Sequence, residues 1–136
     1  MDSIPIQVTE LLNYGYSIAK ALLKEQKEFF PFGVSIDYEG NIKQRLVHDG
    51  DNYPLSNVLI DVIQKDFDAQ LISRSLSAYS IIYDAKVRNT IYPEGIDVVV
   101  AMVKGIHDDS AEIYYLPYEN IEGQLQYFEP WGERSE

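Results

Sequence analysis

Cysteine is absent from this chain. That excludes a disulfide framework, a thiolate nucleophile and every zinc or iron–sulfur site built on Cys. It fits a reducing compartment, and the expected location is cytoplasmic. Long apolar runs are missing too. The longest, Val98 to Val103, has six residues, whereas a membrane span needs about 20. Met1-Asp2-Ser3-Ile4-Pro5 lacks the basic stretch and continuous apolar core of a signal peptide. Basic charge is scarce: 11 Lys and Arg face 22 Asp and Glu, for a net charge of −11. The imbalance is concentrated late, with eight acids and one base (Arg134) from residue 105 onward. An acidic surface repels phosphate backbones and anionic lipid, so neither nucleic acid nor membrane is an expected partner. A basic protein partner fits this charge. Neither Gly-x-x-x-x-Gly-Lys nor Gly-x-Gly-x-x-Gly occurs, so no phosphate cradle is indicated. Gly-x-Ser-x-Gly is absent as well.

What is present is an ordinary globular composition, 46% hydrophobic and 24% charged over 136 residues. That is enough chain for one domain without a metal or disulfide. From about Ile4 to Glu28, the residues Val8, Leu11, Leu12, Gly15, Ile18, Ala19 and Leu22 recur at three- and four-residue spacing. They predict an amphipathic helix, with Ser3 as its cap and Gly15 admitting the close approach of a backbone or a ring. Pro31 ends it. Phe32 to Asp37 alternates like a half-buried strand, Tyr38-Glu39-Gly40-Asn41 supplies a turn, and Ile42 to Val47 returns. A second helix is expected from about Pro54 to Ser73, on a stripe of Leu55, Val58, Leu59, Val62, Ile63 and Asp66 or Phe67. Three strands follow: Ala78 to Arg88, Ile96 to Lys104 and Ala111 to Tyr118. Short connections make them an antiparallel meander. Val98 to Val103 is apolar on both faces, which predicts a central, doubly covered strand.

The order α-β-β-α-β-β-β predicts an α+β fold: a five-stranded, mainly antiparallel sheet with two amphipathic helices able to cover one face. The expected organisation is a single domain over residues 1–118 and an acidic aromatic tail over 119–136, packed on or beside it. The order, with Val34-Ser35-Ile36-Asp37-Tyr38-Glu39-Gly40-Asn41-Ile42 as the local match, resembles the roadblock/LC7 arrangement, which implies a dimerising sheet. The same stretch resembles the first hairpin of the cytidine-deaminase fold. The His/Cys-Ala-Glu and Pro-Cys-x-x-Cys segments of that family are absent, so its activity does not carry over. The whole chain also resembles small uncharacterised bacterial proteins with a Phe-Gly-Val…Asp-x-x-Gly hairpin and a Leu-Pro-Tyr ending. That resemblance implies no activity.

Several groups invite a chemical reading. His48 stands beside Asp49 and Asp51, and His107 beside Asp108 and Asp109. If these loops met, they could hold a divalent metal; otherwise they are turn residues. Asp37 with Glu39, and Asp84 with Asp97, could pair for acid–base work. Lys86 and Arg88 share a strand face with Asp84, which favours a cross-strand charge ladder instead. Ser73, Ser75, Ser77 and Ser80 suit caps and turns. The aromatics stand out: 11 Tyr, five Phe and one Trp. Phe29-Phe30-Pro31-Phe32 predicts ring packing between the first helix and the sheet. Tyr114, Tyr118, Tyr127, Phe128 and Trp131 are the candidate interaction residues, because Tyr and Trp bury much area while keeping a polar tip. Folding back onto the core is the alternative for the tail. No catalytic residue and no cofactor are expected. The sequence reads as a small acidic interaction module, non-enzymatic and homodimeric, whose expected partner is a second copy or a basic protein. The alternative is a small-molecule site or hydrolase between the second helix and the sheet, near Tyr79, Tyr83, Asp84 and His48.

Overall fold

The computed structural model describes residues 6–26, 29, 31–45, 56–105 and 111–134. Two helices, α1 (Ile6–Gln26) and α2 (Ser56–Ile72), accompany seven strands: β1 (Phe32–Ile36), β2 (Ile42–Arg45), β3 (Ala78–Val87), β4 (Ile96–Gly105), β5 (Glu112–Ile121), β6 (Gln124–Tyr127) and β7 (Trp131–Arg134). The fold is α+β, and all six strand pairings are antiparallel. The expected five strands become seven in one sheet, ordered β2-β1-β3-β4-β5-β6, with β7 also on β5.

The two added strands come from the stretch expected to be a tail. β5 runs on to Ile121, so a boundary at residue 118 falls inside a strand. Glu122 and Gly123, both at positive φ (53° and 85°), make the two-residue turn into β6. Tyr118 lies opposite Tyr127, and Tyr115 opposite Trp131. The outer strand thus spends one residue more than β5 over the same interval, which makes a β-bulge. Pro130 sits in the bulge, where no ladder amide is required. β6 and β7 are therefore one interrupted edge strand.

The helices lie on opposite faces of the sheet, not together on one. Phe32, Val34 and Ile36 of β1 join Leu11, Ala19 and Leu23 of α1 in one core. Gly33, between them, faces the other way and meets Phe67 and Ile63 of α2. The cause is visible in β3, where Ala78 and Ile82 on one side and Tyr79 and Ile81 on the other are at most 2% exposed. A single helical layer would leave half of that surface in water. Val98, Val99 and Val100 are buried on both faces, as the apolar run predicts.

On α1 the predicted stripe holds, and Leu23 extends it. On α2 the stripe is rotated. Leu59, Ile63, Phe67 and Leu71, spaced by four, are buried, whereas Val58 and Val62 are each 41% exposed. Fully burying such a side chain contributes about 1.5–3 kcal/mol. α2 ends in a Schellman motif. The Ser75 N–H donates to the Gln70 carbonyl at 2.8 Å and the Arg74 N–H to that of Leu71 at 3.1 Å. Arg74 takes the left-handed position, at φ 62°. Phe29, beyond the end of α1, packs on Phe32 of β1 with ring centroids 5.8 Å apart, and both rings join the core that α1 covers. Among the described residues, no helix is long and apolar enough to cross a membrane.

Candidate functional site

α2 packs on β1 and β3. On that same face, the part of the sheet built from β4, β5 and β7 is roofed by aromatic side chains. Ile96, Val98 and Val100 form a small core with Tyr83, Tyr92, Ile113, Tyr115, Phe128 and Trp131 packed on it. Three of these rings form a ladder. Trp131 stacks on Tyr115 at 5.0 Å (20° between planes) and on Tyr92 at 6.4 Å (24°). Each ring is held by local structure. Tyr115 and Trp131 are register partners on β5 and β7. Tyr92 is placed by Asn89, whose Oδ1 accepts the Ile91 and Tyr92 N–H groups at 3.0 and 2.8 Å. The Tyr92-Pro93-Glu94-Gly95 turn then closes, with the Gly95 N–H donating to the Tyr92 carbonyl at 3.0 Å.

The ladder is half-buried and its surroundings are acidic. The Tyr115 hydroxyl donates to Glu133 Oε1 at 2.6 Å. Burial and then that carboxylate push the Tyr115 phenol up to about 12. Glu94, Glu129 and Glu133 stand exposed beside the ring-bearing positions. This is an apolar, planar surface with a negative rim.

The α1 face carries a second aromatic group. Tyr118 donates to Asp84 Oδ1 at 2.7 Å and packs against Tyr127, ring centroids 6.0 Å apart. Lys20 Nζ sits 4.7 Å from the centre of the Tyr127 ring, within cation–π range. Burial raises the phenols of Tyr16, Tyr118 and Tyr127. Among the described residues, the buried hydroxyls of Tyr16, Ser80 and Tyr127 find no hydrogen-bond partner. Between α1 and the β5–β6 hairpin runs a half-open groove of about 630 Å³.

The five aromatics singled out in the sequence do not form one patch. Tyr114, Tyr118 and Tyr127 belong to the α1-side core, and Phe128 and Trp131 to the opposite one. Tyr92 and Tyr115, outside that set of five, complete the ladder. A signal for Tyr115 was available, since Tyr114 and Tyr115 are adjacent on a strand and must point to opposite faces. The candidate metal residues His48, Asp49, His107 and Asp108 lie outside the described residues. Among the described residues, no cluster of three metal-ligating side chains occurs.

The small-molecule site expected near Tyr79, Tyr83, Asp84 and His48 is not assembled by the described residues. Tyr79 donates to Asp68 Oδ1 at 2.7 Å under α2. Asp84 instead reaches Tyr118 on the α1 face, the side opposite Tyr83. Lys86 and Asp97 are register partners, the positions expected of a charge ladder. Asp37 is a turn residue: its Oδ1 accepts the Glu39 and Asn41 N–H groups, each at 2.9 Å. The bonds from Asn41 lead in holding its carboxyl below the usual range. Ser73 donates to the Gln70 carbonyl, as a cap does, whereas Ser77 donates across to the Ile36 carbonyl of β1 and Ser80 lies buried within β3, so neither is a local cap or turn.

Comparison of the chain with family models, curated proteins and solved structures finds no match.

Proposed function

We propose that this protein is a small acidic interaction module that docks a basic protein segment on the Tyr92–Trp131–Tyr115 face. The observation that carries the reading is the stacked, half-buried ladder beside exposed Glu94, Glu129 and Glu133, on the part of the sheet that α2 leaves to the rings. Large flat rings supply contact area at low entropic cost, and Tyr and Trp anchors dominate protein interfaces. The acidic rim selects a basic partner and repels a second copy of a chain at −11.

Both sheet edges favour this face over edge pairing. β2 is four residues long and presents exposed Lys43 and Arg45. The other edge carries the bulge, Pro130 and exposed Glu129 and Glu133. Such devices discourage strand addition.

Trp131 is the sole tryptophan, so its emission reports on the ladder directly. A basic peptide bearing Arg and Tyr should change that emission saturably, and more weakly as salt rises. A counterpart with Glu in place of Arg should not. Equal response to both peptides, or to neither, removes the proposal. Light scattering at micromolar concentration reads the competing occupant: a dimer abolished by Tyr115→Ala would assign the face to self-association.

A further inference from the structure

We infer that the groove between α1 and the β5–β6 hairpin binds a small organic carboxylate with an apolar body. It lies on the face opposite the aromatic ladder and does not depend on the docking proposal. Its volume, about 630 Å³, is that of a small-ligand site. Its charge runs against the rest of the molecule. The chain is strongly acidic, yet among the described residues no Asp or Glu lines this groove, and Lys20 and Lys24 both do. Neither lysine forms an ion pair among the described residues. The C-terminus of α1 brings about half a negative charge to this end, which two ammonium groups outweigh.

The remaining lining defines the body of the ligand. Leu125 and the half-buried Tyr127 ring offer apolar surface over the buried Leu23. A carboxylate at the two lysines with a chain or ring against Leu125 and Tyr127 matches both the charged and the apolar wall of the groove. A bare inorganic anion would leave the apolar wall unused, and a neutral alkyl molecule would leave the ammonium groups unused.

Amide NMR spectra of the full chain, titrated with sodium decanoate below its micellar concentration, test this. Saturable shifts at the Gly123 and Leu125 amides are expected. The double variant Lys20→Gln, Lys24→Gln should weaken binding by about tenfold or more, the scale of lost charge-assisted hydrogen bonds. Both side chains are exposed, so the variant keeps its fold, and its own spectrum verifies that. Decanol should bind correspondingly more weakly, and inorganic phosphate should give no saturable shift. Absence of decanoate binding, unchanged affinity in the double variant, equal binding of decanol, or a preference for phosphate each overturns the inference.

Discussion

Tyr118 on β5 reaches over β4 and donates its hydroxyl proton to Asp84 on β3, at 2.7 Å. The bond ties together two strands that share no ladder. Tyr118→Phe removes the donor from a part-buried carboxylate and should cost about 1–2 kcal/mol, read from the urea midpoint. The pair also sets an alkaline limit. Burial raises the phenols of Tyr16, Tyr79 and Tyr118 above their ordinary value of 10.0. Above that value the unfolded chain loses protons that the folded chain retains, so stability falls as pH rises. It should be flat with respect to these groups below about pH 9 and decline above about pH 10, by up to about 1.4 kcal/mol per pH unit per phenol. Urea melts between about pH 8 and about pH 11 test the sign, and Tyr118→Phe should flatten the decline.

Two glycines mark where the helices touch the sheet, and they should respond differently to alanine. A Cβ on Gly33 would fall 2.5 and 2.6 Å from Phe67 Cε2 and Cζ. That ring is fixed against Tyr79, 4.9 Å away. Gly33→Ala should therefore cost about 1–3 kcal/mol through overpacking. A Cβ on Gly15 would fall 2.7 and 2.9 Å from Cδ1 and Cγ1 of the buried Ile82, one aliphatic side chain rather than a stacked ring. The helix gains about 1 kcal/mol from Ala there, which offsets much of the strain. Thermal melts should rank Gly33→Ala well below Gly15→Ala.

Arg74 holds a left-handed backbone that glycine adopts freely. Its side chain is exposed. Arg74→Gly should raise stability by about 1 kcal/mol while leaving the Schellman bonds intact. A fall in the urea midpoint would mean that the arginine side chain has a role of its own.

Deleting Pro130 removes the extra residue between Tyr127 and Trp131. The outer strand then runs in a single register, and every ring keeps its face. The fold should survive, as read from an unchanged far-UV spectrum. The straightened edge should self-associate with rising concentration, seen by light scattering, because the bulge no longer guards it.

Much of this architecture is legible in the sequence. The α1 stripe, the start of β1, the meander and the two-sided run at Val98–Val103 follow from periodicity. The rotation of α2 does not, because Val58, Leu59, Val62 and Ile63 are all apolar, and either neighbouring stripe satisfies the spacing. β6 and β7 are short: β6 is only the four-residue return of a hairpin, and β7 pairs with Glu112 to Tyr115 at the far end of β5. The aromatic ladder depends on register: composition shows that Trp131 exists, but only the pairing of β7 with β5 sets it against Tyr115.

The placement of β3 has a consequence for synthesis. Both helices and β1 lean on that strand, yet it follows them all in the chain. As the polypeptide leaves the ribosome, the apolar sides of α1 and α2 have only the short β1–β2 hairpin to settle on until Val87 has emerged. For that interval the nascent chain carries Leu11, Leu23 and Phe67 incompletely covered, when contact with a neighbour is most hazardous.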